Sequence, residues 1–568
     1  MRILLLHPED DPAQGSWTRE SWDRIVDIGA ASEQARSHWG DLLGCRVEAL
    51  PNSDIQAVFA VREALSFGLG YVVDRCGLDW WELIAMRFCD QFEILTRLRR
   101  LAASISTQDE LFVTRNSIQA SLLGAMGFEK VKCLGVERSY LQSFGWKIAA
   151  AGNFYPSQLI QILKDKYDPT YRIRRLTTSP LKQTGIPAVL LPVAHVNAAR
   201  TAISYAAMLP EQKFLLVATR QNGWIGDCPA NVAASKLAAY APGRCNLAEQ
   251  QELFARWRHL EGVLKQNADT SVLLRLGLFT NAAKSLKNGL IIRDSWLRVF
   301  TTSPVAAVLC TDTTNPNTHI PLLLARNKHI PTVACHHGAL DGYYRVKRNH
   351  ADVILAKGEM ERDYLKKTCG IAEGKIECGG HDLPPRKRLK GTKNAIVFFS
   401  EPYALGAGRC RDIYREVLPR LAELARRLNL QLVVKLHPME SRRERTKLAE
   451  AALSGTERAA LRIQEGPLTD DLLDGTRFAV TVQSTAAVDC AIRGIPVFLC
   501  CWLGYSHYYY AEQFVKFGAG MPLSSATEIS AIPHKLDGLS PPASQLWETI
   551  SQEKLRSLLQ PLRMAAAV

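Results

Sequence analysis

Along nearly the whole chain, short apolar and β-branched runs alternate with longer stretches whose apolar positions recur at helical spacing. The runs tend to end in Gly, Ser, Thr or Asp, the residues that close a strand or open a helix. The first part of the chain predicts strands at Arg2–Leu6, Arg46–Leu50, Asp109–Val113 and Lys130–Leu134, with helices between them. WWELIAMRFCDQFEILTRLRRLA, from Trp80, reads as one long packed helix. Residues 140–185 are mixed in character, with a basic patch at Tyr171–Arg175.

A second alternating stretch opens at the apolar strand Ala188–Val193 and continues through a helix to Lys213–Ala218. Residues 222–300 read as mostly helical, an insertion between strands. Four strands then follow closely: Val305–Cys310, Thr332–His336, Asp352–Ala356 and Lys375–Cys378. The segment DLPPRKRLKGTKN, from Asp382, has the Pro-rich and charged composition of a linker. Beyond it come strand Ala395–Phe399, helix Arg411–Leu428 with a kink expected at Pro419, strands Leu430–Leu436 and Phe478–Val482, a helix from Ser484, and strand Ile495–Cys500. Strand–helix alternation of this kind predicts an α/β fold with parallel sheets and right-handed crossovers. The expected architecture is two facing Rossmann-like domains with a cleft between them, at 186–385 (with a helical insertion) and 386–568, plus an additional N-terminal α/β region at 1–185.

Composition narrows the class. At 568 residues with 47% hydrophobic and 22% charged side chains, the chain has material for several cores. Seventy Lys and Arg against 56 Asp and Glu leave +14, which favours anionic partners. The 14 cysteines are scattered singly through apolar runs and form no CxxC pair, as expected of reduced core thiols in a cytoplasmic protein. The start, MRILLLHPEDDP, lacks the pattern of a signal peptide, and no apolar stretch reaches the roughly 18 residues of a membrane span.

In open parallel sheets, ligands bind beyond the carboxyl ends of the strands. The residues there are Thr311-Asp312 and His336-His337-Gly338 in the second stretch, and Ser400-Glu401-Pro402, His437-Pro438 and Gln483-Ser484-Thr485 in the third. Ser484-Thr485 sits where a strand hands over to a helix, so its hydroxyls and the first free N–H groups suit an anion, although Ser is also a common plain helix cap. His437, with Lys435 before it, could donate to a phosphate oxygen there. His337 could act as an acid or base, with Gly338 allowing close backbone approach, and His336 completes the loop. Asp312 is either a turn-former or a carboxylate base or nucleophile.

Other constellations are excluded. Adjacent Cys335, His336 and His337 lack zinc-ligand spacing, and no DxD suited to a metal occurs. His7-Pro8 with its acidic neighbours reads as an exposed turn, there is no Walker A loop, and GAG at Gly406–Gly408 is too short for a dinucleotide fingerprint. The basic clusters at 386–390 and 442–445 lack interleaved aromatics, which argues against nucleic acid; they read mostly as solvated faces, with lipid or polyanion contact the lesser alternative.

The segment HHGALDGYY…ADVILAKGEMERDYLKKTCGIAEGKIECGG, followed by VVKLHP and TVQSTAAVD…GIPVFL, resembles the C-terminal half of GT-B glycosyltransferases, over roughly residues 303–515. It is similar to the group with cytidine-activated donors: bacterial sialyl- and polysialyltransferases, capsule-type Kdo transferases and CDP-glycerol glycerophosphotransferases. The resemblance implies that His437-Pro438 is the HP motif and Ser484-Thr485 the Ser-Ser/Thr motif, together holding the nucleotide phosphate, with Ser400, Glu401 and Lys435 beside them. His336-His337-Gly338 would correspond to the HG segment. The sialyltransferase acid motif is reduced to LDG at Leu340–Gly342, and TVQST…D keeps Asp489 but has Val482 where the teichoic pattern has Asp. That leaves the Kdo-transferase-like version least contradicted, with Asp312 or His337 as the catalytic group. The resemblance further implies a nucleotide-sugar donor, CMP-linked, a glycan or glycolipid acceptor, no metal or other cofactor, and action at the inner membrane face. The alternatives are a CDP-alditol phosphotransferase, a nucleotide-sugar epimerase and a non-catalytic GT-B-like binding module.

Overall fold

The computed structural model describes residues 1–6, 16–28, 31–50, 62–63, 65–85, 89–114, 117–134, 185–219, 228–242, 246–275, 282–313, 315–338, 340, 344, 351–383, 393–401, 410–438, 440–503, 510–536 and 543–560. The basic patch at Tyr171–Arg175, His7-Pro8, Pro402, the GAG at Gly406–Gly408, the basic cluster at 386–390 and the end of the LDG segment lie outside them. The chain divides into two compact units, each assembled from separate stretches: Met1–Asp54, Thr96–Val136 and Pro384–Trp547 in one, Ile55–Leu95, Glu137–Leu383 and Glu548–Val568 in the other.

The first unit contains two sheets. The five-stranded one runs β3-β2-β1-β4-β5, from β1 (Arg2–Leu6), β2 (Arg24–Asp27), β3 (Val47–Ala49), β4 (Glu110–Val113) and β5 (Val131–Cys133). The second unit holds a seven-stranded sheet built from β6 (Ala188–Val193), β7 (Phe214–Ala218), β8 (Val232–Lys236), β9 (Val305–Cys310), β10 (Thr332–Cys335), β11 (Val353–Ala356) and β12 (Ile376–Cys378), in the order β12-β11-β10-β9-β6-β7-β8. The other sheet of the first unit contains β13 (Ala395–Phe399), β14 (Gln431–Lys435), β15 (Leu461–Gln464), β16 (Thr476–Thr481), β17 (Val497–Cys500) and β18 (Met521–Leu523), ordered β15-β14-β13-β16-β17-β18. Every pairing between these strands is parallel.

Central strands of such sheets are covered on both faces, which is why they read as unbroken apolar runs: FLLVA in β7 and AIVFF in β13 are buried throughout. Helices supply the cover. Cys410–Leu428 buries Ile413, Tyr414, Val417, Leu418, Leu421 and Leu424 on the stripe that its sequence pattern predicted, with Pro419 inside it. In the second unit, Val189, Leu191 and Val193 pack with Phe214, Leu216 and Leu309. Ile550, Leu555 and Leu559, from the far end of the chain, join the same core.

The expected parallel α/β architecture of Rossmann-like sheets is observed, with local corrections. Residues 222–300 are not only helical: β8 lies among them at the sheet edge, ahead of the helices Leu247–Leu264, Ala268–Arg275 and Ala282–Thr302. The stretch from Trp80 gives two described helices, Trp80–Ala85 and Cys89–Ala102. The helix expected from Ser484 begins at Ala486.

Each of the three sheets reverses its strand order once, at β1/β4, β6/β9 and β13/β16. At such a reversal the loops leaving the two strands diverge to opposite faces and open a crevice.

Candidate functional site

In the second unit, four strands of the sheet deliver polar groups to the same carboxyl edge. β6 ends at Val193, and His195 occupies the cap position of the helix Val196–Ala207 with an extended backbone. Its side chain does not cap that helix. Instead, Nε2 lies 3.1 Å from Oδ2 of Asp312, which follows β9. The residue Asp312 is only 3% exposed, whereas the His195 side chain is 36% exposed. The Asp312 loop is pinned by Thr318, whose hydroxyl donates to the Asp312 carbonyl, and by Thr311, whose hydroxyl donates to the Ala198 carbonyl.

β10 contributes His336 and His337. His337 Nδ1 is 3.1 Å from the Thr311 carbonyl oxygen, and its ring stands edge-on to His195 with centroids 4.4 Å apart. A carbonyl can only accept, so Nδ1 carries the proton and Nε2 the lone pair. His336 is oriented differently: its Nδ1 accepts from the Gly338 N–H. After β11, Lys357 donates to the Gly338 carbonyl at 2.7 Å and to Glu361 at 3.0 Å, which fixes the loop from below. Among the described residues, a side chain at Gly338 would meet nothing closer than the His336 ring at 4.0 Å.

The electrostatics follow from burial and proximity. Burial pushes the Asp312 carboxyl upward, but the His195 hydrogen bond and the fields of His337 and His195 outweigh it and hold it well below the usual carboxylate range. Burial, reinforced by His195, pushes His337 down to about 4. His336 is likewise far below its ordinary value, chiefly through burial and then through His337 and Lys357. At neutral pH the cluster therefore presents the ionised Asp312 carboxylate beside the neutral imidazoles of His336 and His337.

In the first unit, the strand-end residues of β13, β14 and β16 form a second group. The Ser400 hydroxyl lies 2.8 Å from Tyr414 Oη and 2.8 Å from Glu440 Oε1. Glu440 also accepts from the His437 backbone N–H and from Arg445, so it organises the turn after β14. Lys435 donates to the carbonyls of Leu436 and Gly466. Its charge thus lies close under the turn, with two of its donors taken. Burial lowers the His437 imidazole, Glu440 opposes this, and Lys435 adds to it. Pro438 is exposed beside it.

Ser484 accepts from the Ala486 N–H, a long contact of 3.4 Å, and Thr485 takes the cap position with no side-chain cap bond. Glu401 is buried, as are Ser400 and Lys435. The Gln483 backbone N–H bonds to Glu401, Oε1 has no partner among the described residues, and burial followed by the Glu440 charge pushes its carboxyl up to about 8. At neutral pH it is a carboxylic acid with a proton to donate.

The structure therefore brings Asp312, His336, His337 and Gly338 together in one unit, and Ser400, Glu401, Lys435, His437, Ser484 and Thr485 together in the other. It adds a residue that sequence reasoning missed. His195 stands two positions beyond Val193, at the end of a strand that was recognised. The rule that singled out Asp312 and His337 applied to it equally, but its partner depends on β6 lying next to β9.

Residues 301–528 match the model of a family described as "Putative glycosyltransferase (DUF6716)". This stretch runs from just before β9 to just past β18 and includes every sequence-derived site residue, but not His195. The expectation of a glycosyltransferase enzyme is met at that level. No curated protein sequence matches the chain.

Among solved structures, UDP-GlcNAc 2-epimerase from Neisseria meningitidis, bound to UDP-GlcNAc, aligns with 14% identity over 66% of this chain and 99% of its own, with a TM-score of 0.41. MurG from Acinetobacter baumannii aligns with 14% identity over 66% of this chain and 100% of its own, with a TM-score of 0.37. The calicheamicin glycosyltransferase CalG4 aligns with 12% identity over 66% of this chain and 93% of its own, with a TM-score of 0.36. Likenesses this loose carry no inference about substrate.

Proposed function

We propose that this glycosyltransferase moves a sugar from a nucleotide donor, CMP-linked and Kdo-like, to a surface-glycan acceptor. The observation that carries the reading is the placement of both polar groups at strand-order reversals. His195 and Asp312 meet across β6/β9, and Glu401 and the Gln483 N–H meet across β13/β16. These are the positions where parallel sheets bind ligands.

In this reading the group in residues 386–568 takes the donor. His437 and the Ser484–Thr485 turn hold the phosphate, with the positive Lys435 beneath, and stabilise the leaving nucleotide electrostatically. Glu401, protonated, donates to the nucleotide, while Ser400 and Pro438 shape the turn that presents His437. The group in residues 186–385 takes the acceptor: the cluster of Asp312 and His337, now with His195, receives the proton of the acceptor hydroxyl. Gly338 and His336 line the approach. Residues 1–185 have no assigned step. Among the described residues no helix is long and apolar enough to cross a membrane, and we place the protein in the cytoplasm, meeting a lipid-linked acceptor at the inner membrane face.

Nucleotide thermal shift tests the donor: CMP or CDP should raise Tm more than UDP or GDP, and His437→Ala should abolish that shift. Stabilisation by UDP in preference to CMP sinks the cytidine reading, and an unchanged shift in His437→Ala sinks the site. Transfer of an intact sugar without phosphate, with release of CMP, separates a sugar transferase from an alditol phosphotransferase. Absence of any nucleotide effect supports a binding module.

A further inference from the structure

At the ends of β6, β9 and β10, three side chains of metal-ligand type converge: His195, Asp312 and His337 offer ligand atoms that all lie within 4.8 Å of one another. We infer that they form a binding site for one divalent first-row transition cation, zinc fitting best, held by two imidazole nitrogens and one carboxylate oxygen with a coordination position left open.

Four features support this beyond the residue types. The first is donor chemistry. Two imidazoles with a carboxylate suit zinc and its first-row neighbours, whereas magnesium and calcium take oxygen shells. Three protein ligands plus an open position is also the pattern of catalytic rather than structural zinc. The second feature is the tautomer of His337. Its Nδ1–H is directed at the Thr311 carbonyl, 3.1 Å away, which leaves the Nε2 lone pair for a cation. Metal-binding histidines are held in this way by their second nitrogen.

The third is spacing. Two adjacent ligands, each ~2.1 Å from one ion, stand roughly 3.0–3.4 Å apart, and His195 Nε2 and Asp312 Oδ2 are 3.1 Å apart. No pair of ligands on one ion can exceed about 4.2 Å, so separations of up to 4.8 Å require a small side-chain adjustment on binding, and His195 is the most exposed of the three side chains. Its 36% exposure leaves a path for the ion to enter.

The fourth is rigidity. Asp312 is buried, its loop is pinned by Thr311 and Thr318, and the supporting strands are neighbours in one sheet. His336 is excluded from the set by its own hydrogen bond, since the Gly338 N–H occupies its Nδ1. The site departs from the sequence expectation of a metal-free enzyme. It stands on this geometry whatever the donor nucleotide proves to be. The open position suits a water or alcohol oxygen, which a bound cation polarises; with the ion in place, His195, Asp312 and His337 act as ligands rather than as the base of the metal-free arrangement.

The competing arrangement is a plain dyad, in which His195 Nε2–H donates to Asp312 and nothing else binds. Untagged full-length protein, stripped with chelator and dialysed, should take up one equivalent of Zn²⁺ per chain with micromolar or tighter affinity by calorimetry. Co²⁺ substitution should give ligand-field absorption of a four- or five-coordinate centre. His195→Ala, a change at a half-exposed side chain, should weaken binding at least about tenfold while leaving the circular dichroism spectrum unchanged. Asp312→Asn and His337→Ala should do the same. His259→Ala, on an exposed helix face, should bind as the unaltered chain does. Failure to bind a stoichiometric ion, or full affinity in folded His195→Ala, overturns the proposal, as does equal weakening by His259→Ala. All three readouts are independent of glycosyl transfer, so a wrong donor assignment leaves this test intact.

Discussion

Replacing Glu401 by Gln should make the protein more resistant to unfolding at alkaline pH than the unaltered chain, and the gap should widen with pH. Glu401 is 8% exposed, with Oε1 unpartnered among the described residues and the Glu440 carboxylate nearby. Burial first, and the Glu440 charge second, lift its carboxyl from an ordinary 4.5 to about 8. Between those values the folded protein holds a proton that the unfolded chain has lost, so stability falls as pH rises. The contribution is fully present below pH 4.5, declines steadily above it, and is exhausted once pH passes about 8. Each pH unit inside the window is worth up to about 1.4 kcal/mol, so the loss from pH 5 to pH 8 is about 3 kcal/mol. Gln keeps the acceptor for the Gln483 N–H but cannot ionise. Urea unfolding of both proteins at pH 5, 6.5, 8 and 9 would isolate this group, because all other titrations cancel in the difference. The Gln variant should gain about 3 kcal/mol relative to the unaltered chain by pH 8, then hold that gain. A difference that stays flat from pH 5 to 9 would refute the claim that Glu401 is a buried neutral acid.

In the second unit, Arg293, whose side chain is 4% exposed, bonds Asp74 at 2.8 Å and spans Glu249 through both of its terminal nitrogens. Arg293→Met leaves two buried carboxylates without their cation and should cost about 3–5 kcal/mol; a cost under about 1 kcal/mol by urea titration would show that solvent reaches them. Gly289 lies in the helix Ala282–Thr302, and a Cβ there would overlap the buried Trp80 ring. Gly289→Ala should therefore destabilise by about 1–3 kcal/mol, against the usual gain from replacing a helical Gly, and a raised Tm would refute that packing.

What the sequence determined by itself was local. Buried central strands must be apolar on both faces, so β1, β6, β7, β9, β13 and β16 stood out, and with them the parallel α/β class. The strand-end rule then reached Asp312, His336, His337, Ser400, Glu401, His437 and Ser484 without any coordinates. Reading apolar runs failed for β2, β8, β15 and β18, and three of these, β8 (VAASK), β15 (LRIQ) and β18 (MPL), lie at sheet edges. No apolar run announces such strands; pairing with a neighbour creates them.

The chemistry of the candidate residues was decided only by the tertiary structure. Lys435 stood out as a residue beside the phosphate motifs, but two carbonyls brought close by the fold share its donors. Glu401 stood out only as a strand-end residue, and it is burial beside Glu440 that keeps its proton on. His195 acquires meaning only because β6 is inserted next to β9, which sets its imidazole against Asp312. Protonation state and ligand set depend on which groups face one another across strands distant in sequence, and hydrophobic periodicity, which encodes burial, does not encode that order.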